Sequence, residues 1–351
     1  MGFITFIIVL SILVFFHELG HFSVARALGV KVYVFSIGFG KKLFSKEYKG
    51  TLWSFSLIPL GGYVKMKGQE DLNPALSSND PDSYNTKTPF QRILILLAGP
   101  FANFVLAFVL YIFIAILGNN HLSPSIGKVI PNSPAFKAGI KKDDTIVKIN
   151  NRNIRTWDDL SDAIKNSQGS LHFVVKRGNQ LIPLVITPTI QDAQNMFKEH
   201  IKKRMIGIVP APKVVTIYYS PLESISFAWD KTIEASKMIF LGIQKLIEGI
   251  VPTDQIGGVI SIGTVISDAS NSGFVALLTI MALISVNLGV LNLLPIPALD
   301  GGHIMFNIYE LITKQKPSEK VLVTLTVMGW IILLSLMVLG VYNDINRIIL
   351  K

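Results

Sequence analysis

Cysteine is absent from the 351-residue sequence. Disulfides, thiolate nucleophiles and thiolate metal sites are therefore excluded, and any metal must rest on His, Asp or Glu. Charge is also sparse: charged residues make up 16% of the chain and hydrophobic ones 50%, with a mean hydropathy of +0.48. A soluble domain of this size rarely reaches such a balance, so several membrane spans are the first expectation. Acidic residues are the scarcer sign, 23 against 33 basic, for a net charge of +10. In a chain this apolar, the basic excess points to cytoplasmic loops and anionic membrane lipids rather than to nucleic acid.

Four stretches are long enough to cross a bilayer, which takes roughly 20 mostly apolar residues. They fall at 1–28, 93–117, 272–305 and 321–347. The first holds the uncharged run Phe3 to Phe16 and lacks both a basic leader and a clear small-residue cleavage site, so it reads as a retained span. The segment 29–92 carries Lys31, Lys41, Lys42, Lys46, Lys49, Lys65, Lys67, Lys87 and Arg92, and the loop 306–320 carries Lys314, Lys316 and Lys320. The positive-inside rule puts both in the cytoplasm and both chain ends outside it. The region between the second and third spans then faces the periplasm or its equivalent. Within it, short β-type runs such as Ile126 to Ile130, Thr145 to Ile149, Leu171 to Lys176 and Leu181 to Thr187 predict a small soluble domain over 118–215. A helix over Trp157 to Lys165 is expected to open after Thr156 as N-cap. From Pro221 to about Ile250, apolar residues at helical spacing predict an amphipathic helix, either lying on the membrane or packed on the soluble domain, with a linker completing 216–271.

The chemistry concentrates in His17-Glu18-Leu19-Gly20-His21. Residues four apart share one helix face, so both imidazoles can reach one Zn²⁺. Glu18 beside them is placed to take a proton from the attacking water rather than to bind the metal. A charged group deep in a membrane helix costs around 2.5–3.5 kcal/mol on insertion scales, so such groups are rarely idle. A catalytic zinc takes three protein ligands and keeps one position open. Spans one and three run in the same direction, and span three ends in Asn292-Leu293-Leu294-Pro295-Ile296-Pro297-Ala298-Leu299-Asp300-Gly301-Gly302-His303, on the side of the membrane where the histidines lie. Asp300 is the first candidate for the third ligand and His303 the second. Pro295 and Pro297 break the helix, and open backbone at membrane depth is tolerated where it lines a cavity.

His17-Glu18-Leu19-Gly20-His21 together with Asn292 to Gly301 resembles the site-2 protease family of intramembrane zinc metalloproteases. Phe35-Ser36-Ile37-Gly38-Phe39-Gly40 and Ile58 to Met66 are similar to that family's membrane-re-entrant β-hairpin region, and Gly99-Pro100 with Asn103 to its second-span motif. Gly99, Pro100 and Asn103 read as packing residues of the second span. Ser133-Pro134-Ala135, Ala138-Gly139-Ile140, Asp144-Thr145-Ile146 and Ile149-Asn150 resemble a PDZ domain, with Asp143 and Asn151 standing where glycine is usual. A carboxylate-cradling loop of that domain would lie near Ser125-Ile126-Gly127.

The implied fold is a mainly α membrane protein: four transmembrane helices, a membrane-associated β-hairpin region and one inserted extracytoplasmic PDZ-like α/β domain. By the same resemblance His17, His21 and Asp300 would be zinc ligands and Glu18 the catalytic acid–base. Asn292 and the strand Gly61, Gly62, Tyr63, Val64 would hold an unwound substrate. The implied partners are single-span transmembrane proteins, among them anti-sigma factors and leftover signal peptides. A PDZ scaffold with a vestigial metal site would have no use for Glu18, and a zinc transporter would favour further buried acidic or His residues in spans two and four.

Overall fold

The computed structural model describes residues 2–69 and 80–349. Of the 29–92 segment, residues 70–79 lie outside the described residues. The chain divides into two compact units, Met1–Ile114 with Ser224–Lys351, and Ala115–Glu223. It opens with helix α1 (Gly2–Ala27), strands β1 (Val32–Tyr48) and β2 (Thr51–Met66), and helix α2 (Pro89–Leu117). There follow β3 (Asn119–Leu122), β4 (Ile126–Val129), α3 (Pro134–Lys137), β5 (Thr145–Ile149), β6 (Arg152–Asn153) and α4 (Trp157–Lys165). Next come β7 (Leu171–Arg177), β8 (Gln180–Ile186), β9 (Thr189–Gln194), β10 (His200–Met205), β11 (Ile208–Pro210) and β12 (Val214–Ile217). The chain closes with α5 (Pro221–Ile247), α6 (Val259–Ser272), α7 (Phe274–Asn292), α8 (Asp300–Thr313) and α9 (Glu319–Ile349).

Helices α1, α2, α7 and α9 are each long and apolar enough to cross a membrane, which makes the chain a multi-pass membrane protein. Thr88 and Gln91 open α2 with a reciprocal cap: the Thr88 N–H donates to Gln91 Oε1 at 3.0 Å, and the Gln91 N–H to Thr88 Oγ1 at 3.3 Å. Leu13, Ala107, Ile114, Ala282 and Val286 form the centre of the helical core, contributed by α1, α2 and α7. Arg92 and Glu310, both largely buried, pair at 2.7 Å and tie the start of α2 to α8.

Over 216–271 the structure has the expected amphipathic helix and, in place of the linker, a further helix. Helix α5 buries Ser224, Ala228, Thr232 and Ala235, a row of small residues at helical spacing that permits close packing. Its apolar side, with Leu222, Trp229, Phe240 and Ile247, stays exposed. The expected linker is also a second helix, α6. Its sequence mixes Ser, Gly, Asp and Asn with β-branched residues, which obscured the period. At 14 residues it extends about 21 Å, short of the roughly 30 Å hydrocarbon layer. Its N-terminus is capped from α9: buried Asp344 accepts the Gly258 and Ser261 N–H groups, each at 3.0 Å, and the Ser261 hydroxyl. Asn343 beside it donates to the carbonyls of Thr253 and Ile256.

Strands β1 and β2 pair antiparallel with several register breaks, and the pairing folds back on itself. Phe35 lies opposite both Val64 and Trp53, and Ser36 opposite both Tyr63 and Ser54, while Trp53 also faces Lys46. The first half of β1 is therefore an inner segment, and residues 62–66 form an outer edge with one partner.

In the second unit, β6-β5-β7-β8 form a four-stranded sheet, and β4 and β3 pair with the returning strands β11 and β12. Thr156 and Asp159 cap α4 reciprocally, as predicted for Thr156. Ile126, Ile146, Leu160, Phe173 and Ile206 fill the core. Asp143 takes a left-handed φ of 67°, and in the following turn Asn150, rather than Asn151, does so at 51°. Gly127 lies inside β4, and a side chain there would meet the Pro210 carbonyl of β11. Asp144 is fully buried, with Arg177 donating to it through Nε at 2.7 Å and Nη2 at 2.8 Å, and the Lys141 N–H at 2.8 Å. Burial alone would push this carboxyl up; the Arg177 bonds outweigh it and hold it below the ordinary carboxylate range. Its contribution is therefore complete at neutral pH and is lost as pH falls through the lowered value. Arg177→Ala leaves a buried charge without its fork and should destabilise this unit by roughly 3 kcal/mol. Hydrogen exchange over residues 115–223 of the full chain reads this, and wild type should lose protection only below about pH 3.9.

Candidate metal centre

His17 and His21 lie one turn apart in α1, and their Nε2 atoms stand 3.2 Å from one another. Asp300, the first residue of α8, brings Oδ2 to 3.4 Å from each of them. The three side chains come from ends of the chain nearly 300 residues apart, and they form a compact group of possible ligand atoms. His303, the alternative third ligand, stands outside that group, though it lines the same cavity.

The fit to a tetrahedral ion rests on these distances. With bonds of ~2.0–2.1 Å, a tetrahedron has edges of about 3.3–3.4 Å, which the three observed separations approach. The hydrogen bonding agrees. Asp300 Oδ2 is buried and has no hydrogen-bond donor, a costly state for a carboxylate oxygen unless a cation neutralises it. Oxygen and nitrogen donors of this kind suit zinc and its neighbours among the divalent ions.

Local sequence explains how each group is held. Pro295 and Pro297 keep residues 293–299 out of helix. The segment folds into turns in which the Leu299 N–H donates to the Ile296 carbonyl at 2.8 Å, before α8 begins at Asp300. A side chain at Gly301 would strike the Leu294 carbonyl at 2.2 Å, so glycine lets α8 start tight against the break. A carboxylate on a helix's first turn also meets the positive end of its dipole.

Helix α2 supports the histidines from behind. The His21 Nδ1–H donates to the Ile95 carbonyl at 2.8 Å, leaving Nε2 free to face the cluster. Gly99 lies under the same ring, and a Cβ there would come within 2.1 Å of His21 Nε2. Asn103, fully buried, brings Nδ2 to 3.2 Å from His17 Nδ1. Residues 95, 99 and 103 repeat at intervals of four along one helix face. Gly99 and Asn103 therefore touch the imidazoles directly, a closer role than the packing read from sequence. The spacing itself was the available signal.

The cluster opens into a cavity of about 470 Å³. Glu18, largely buried, lines it beside the histidines. On the facing wall lies the outer edge of the β1–β2 sheet, with Gly62, Tyr63 and Val64. A side chain at Gly62 would come within 2.9 Å of Glu18 Cγ, so glycine brings the strand backbone down onto the carboxylate. Gly61 and Asn292 are not among the lining residues; Asn292 is the last residue of α7, just before the break. Thr326 and Trp330 of α9 also line the cavity and were not singled out from sequence. Their signal is a polar and an aromatic residue four apart, on one face of the fourth apolar span. Gly99→Ala should displace the His21 ring and reduce metal content at least about tenfold, as measured by elemental analysis of the purified protein.

Comparison with known proteins places this geometry in a family. The profile described as Peptidase family M50 matches residues 5–336. The chain is 47% identical over 347 residues to "Putative zinc metalloprotease Cj1068" of Campylobacter jejuni, covering 99% of this chain and 94% of that protein. It is 32% identical over 378 residues to "Metalloprotease MmpA" of Caulobacter vibrioides, covering 98% and 95% respectively. A match this long, carried by a cluster drawn from both ends of the chain, leads to one conclusion: the chain belongs to peptidase family M50, the site-2 protease family of zinc metalloproteases.

Proposed function

We propose that the chain hydrolyses peptide bonds within or beside the membrane-spanning segment of single-span proteins, with His17, His21 and Asp300 as zinc ligands and Glu18 as acid–base. The observation that carries this reading is the orphaned Asp300 Oδ2, held 3.4 Å from two imidazole nitrogens in a cavity that Glu18 also lines. Zinc bound there would polarise the scissile carbonyl and lower the pKa of water towards 7. The Glu18 carboxylate takes the proton of the attacking water and returns it to the leaving amine, so the group ends the cycle as it began.

A membrane helix hides its carbonyls in internal hydrogen bonds, so it must be extended before water can attack. The outer edge of β2 meets that need. Gly61, Gly62, Tyr63 and Val64 would pair with the unwound segment and replace the helical bonds it gives up. Asn292, at the end of α7, would hold the segment from the side of the 293–299 break. The unit Ala115–Glu223 is assigned a PDZ-like role on the periplasmic side of a bacterial inner membrane, admitting substrates already trimmed outside it. That role suits regulated intramembrane proteolysis, with anti-sigma factors and signal-peptide remnants as the substrate class.

Glu18→Gln should keep stoichiometric zinc and lose cleavage of a single-span reporter by at least about 100-fold. Cleavage that survives in this variant would remove Glu18 from the chemistry. A wild-type protein that binds no zinc would remove the centre altogether.

A further inference from the structure

We infer that Asn103 is the positioning residue for His17: its side-chain oxygen accepts the Nδ1 proton and so turns the Nε2 lone pair towards Asp300 and His21. This rests on the reading of His17, His21 and Asp300 as zinc ligands.

Neutral imidazole carries one N–H, and a ring that ligates through Nε2 must carry it on Nδ1. A buried Nδ1–H then needs an acceptor. For His21 the acceptor is the Ile95 carbonyl at 2.8 Å. For His17 the neighbour of Nδ1 is the Asn103 amide at 3.2 Å. The amide can present either face through a half-turn about its last bond. With Nδ2 towards the ring, Asn103 donates, the ring proton must sit on Nε2, and His17 offers no lone pair to the cluster. With Oδ1 towards the ring, Asn103 accepts, and the lone pair moves to Nε2. Only the second arrangement suits a ligand. In it Asn103 Oδ1, which is buried with no hydrogen-bond donor in the first, gains the Nδ1 proton as its partner, and the amide NH2 takes its former place.

The amide is held where this exchange can work. Asn103 is fully buried, and its backbone carbonyl accepts the Ser285 hydroxyl of α7 at 2.8 Å, with Ser285 also fully buried. The α2 face thus supplies one acceptor to each imidazole, a main-chain carbonyl at 95 and a side-chain carbonyl at 103. Groups that orient a ligating histidine typically change metal affinity by 10–100-fold when removed.

The test compares Asn103→Leu, which keeps volume and loses the acceptor, with Asn103→Asp, which keeps an acceptor at the same place. Zinc affinity is measured by chelator competition on the purified full chain. The Leu variant should bind 10–100-fold more weakly than wild type, and the Asp variant within about threefold of it. A Leu variant with wild-type affinity overturns the inference, and so does an Asp variant as weak as Leu. His17→Ala reports on the underlying reading: if wild type and this variant are equally free of zinc, the ligand assignment fails rather than the role of Asn103. A second measurement needs no substitution at 103. The nitrogen-15 spectrum of histidine-labelled, zinc-loaded wild type should show His17 protonated at Nδ1, and a proton on Nε2 overturns the inference even if the Leu variant does not fold.

Discussion

The proposed zinc centre depends on one arrangement: a buried Asp300 oxygen held 3.4 Å from two imidazole nitrogens that themselves lie 3.2 Å apart. In a medium of low dielectric such a group repels itself unless a cation sits among it. Keeping the donors together therefore requires stiff supports, and each support can be named. The face of α2 at 95, 99 and 103 fixes the two rings. The 293–299 break fixes the position of Asp300, and Gly301 lets α8 begin close behind it. None of these supports lies in the histidine motif itself, which explains why that short motif alone is a weak guide to a working centre.

Much of this was legible before any coordinates. The four apolar helices matched four apolar runs because span length is set by bilayer thickness, a constraint that composition alone reveals. His17, His21 and Asp300 could be put together because two spans of like direction end their polar motifs at one depth. The supports were harder to read. Gly99 and Asn103 looked like packing residues because a close approach between helices and a bond to a histidine leave the same small, polar signature. Helix α6 was taken for a linker because its Ser, Gly and Asp residues carry no strong period; what makes it helical is a carboxylate 83 residues later in the chain.

The β1–β2 pair shows why a helical membrane protein keeps a sheet beside such a site. An outer strand with one partner presents unpaired backbone groups, and proteins usually cover or charge such an edge. Here the edge faces the cavity that the histidines, Glu18 and Asp300 also line. Its bent register keeps Phe35 and Trp53 stacked within the sheet, their ring centres 4.5 Å apart, so the inner segments stay rigid while the outer one remains available.

The cap that Asp344 places on α6 ties α9 to a helix that also meets α1. Helix α6 lies against α1, where a side chain at Gly2 would strike Ser267, and α1 is the helix that carries the histidines. Helix α9 is thus joined, through one short helix, to the helix that carries the histidines.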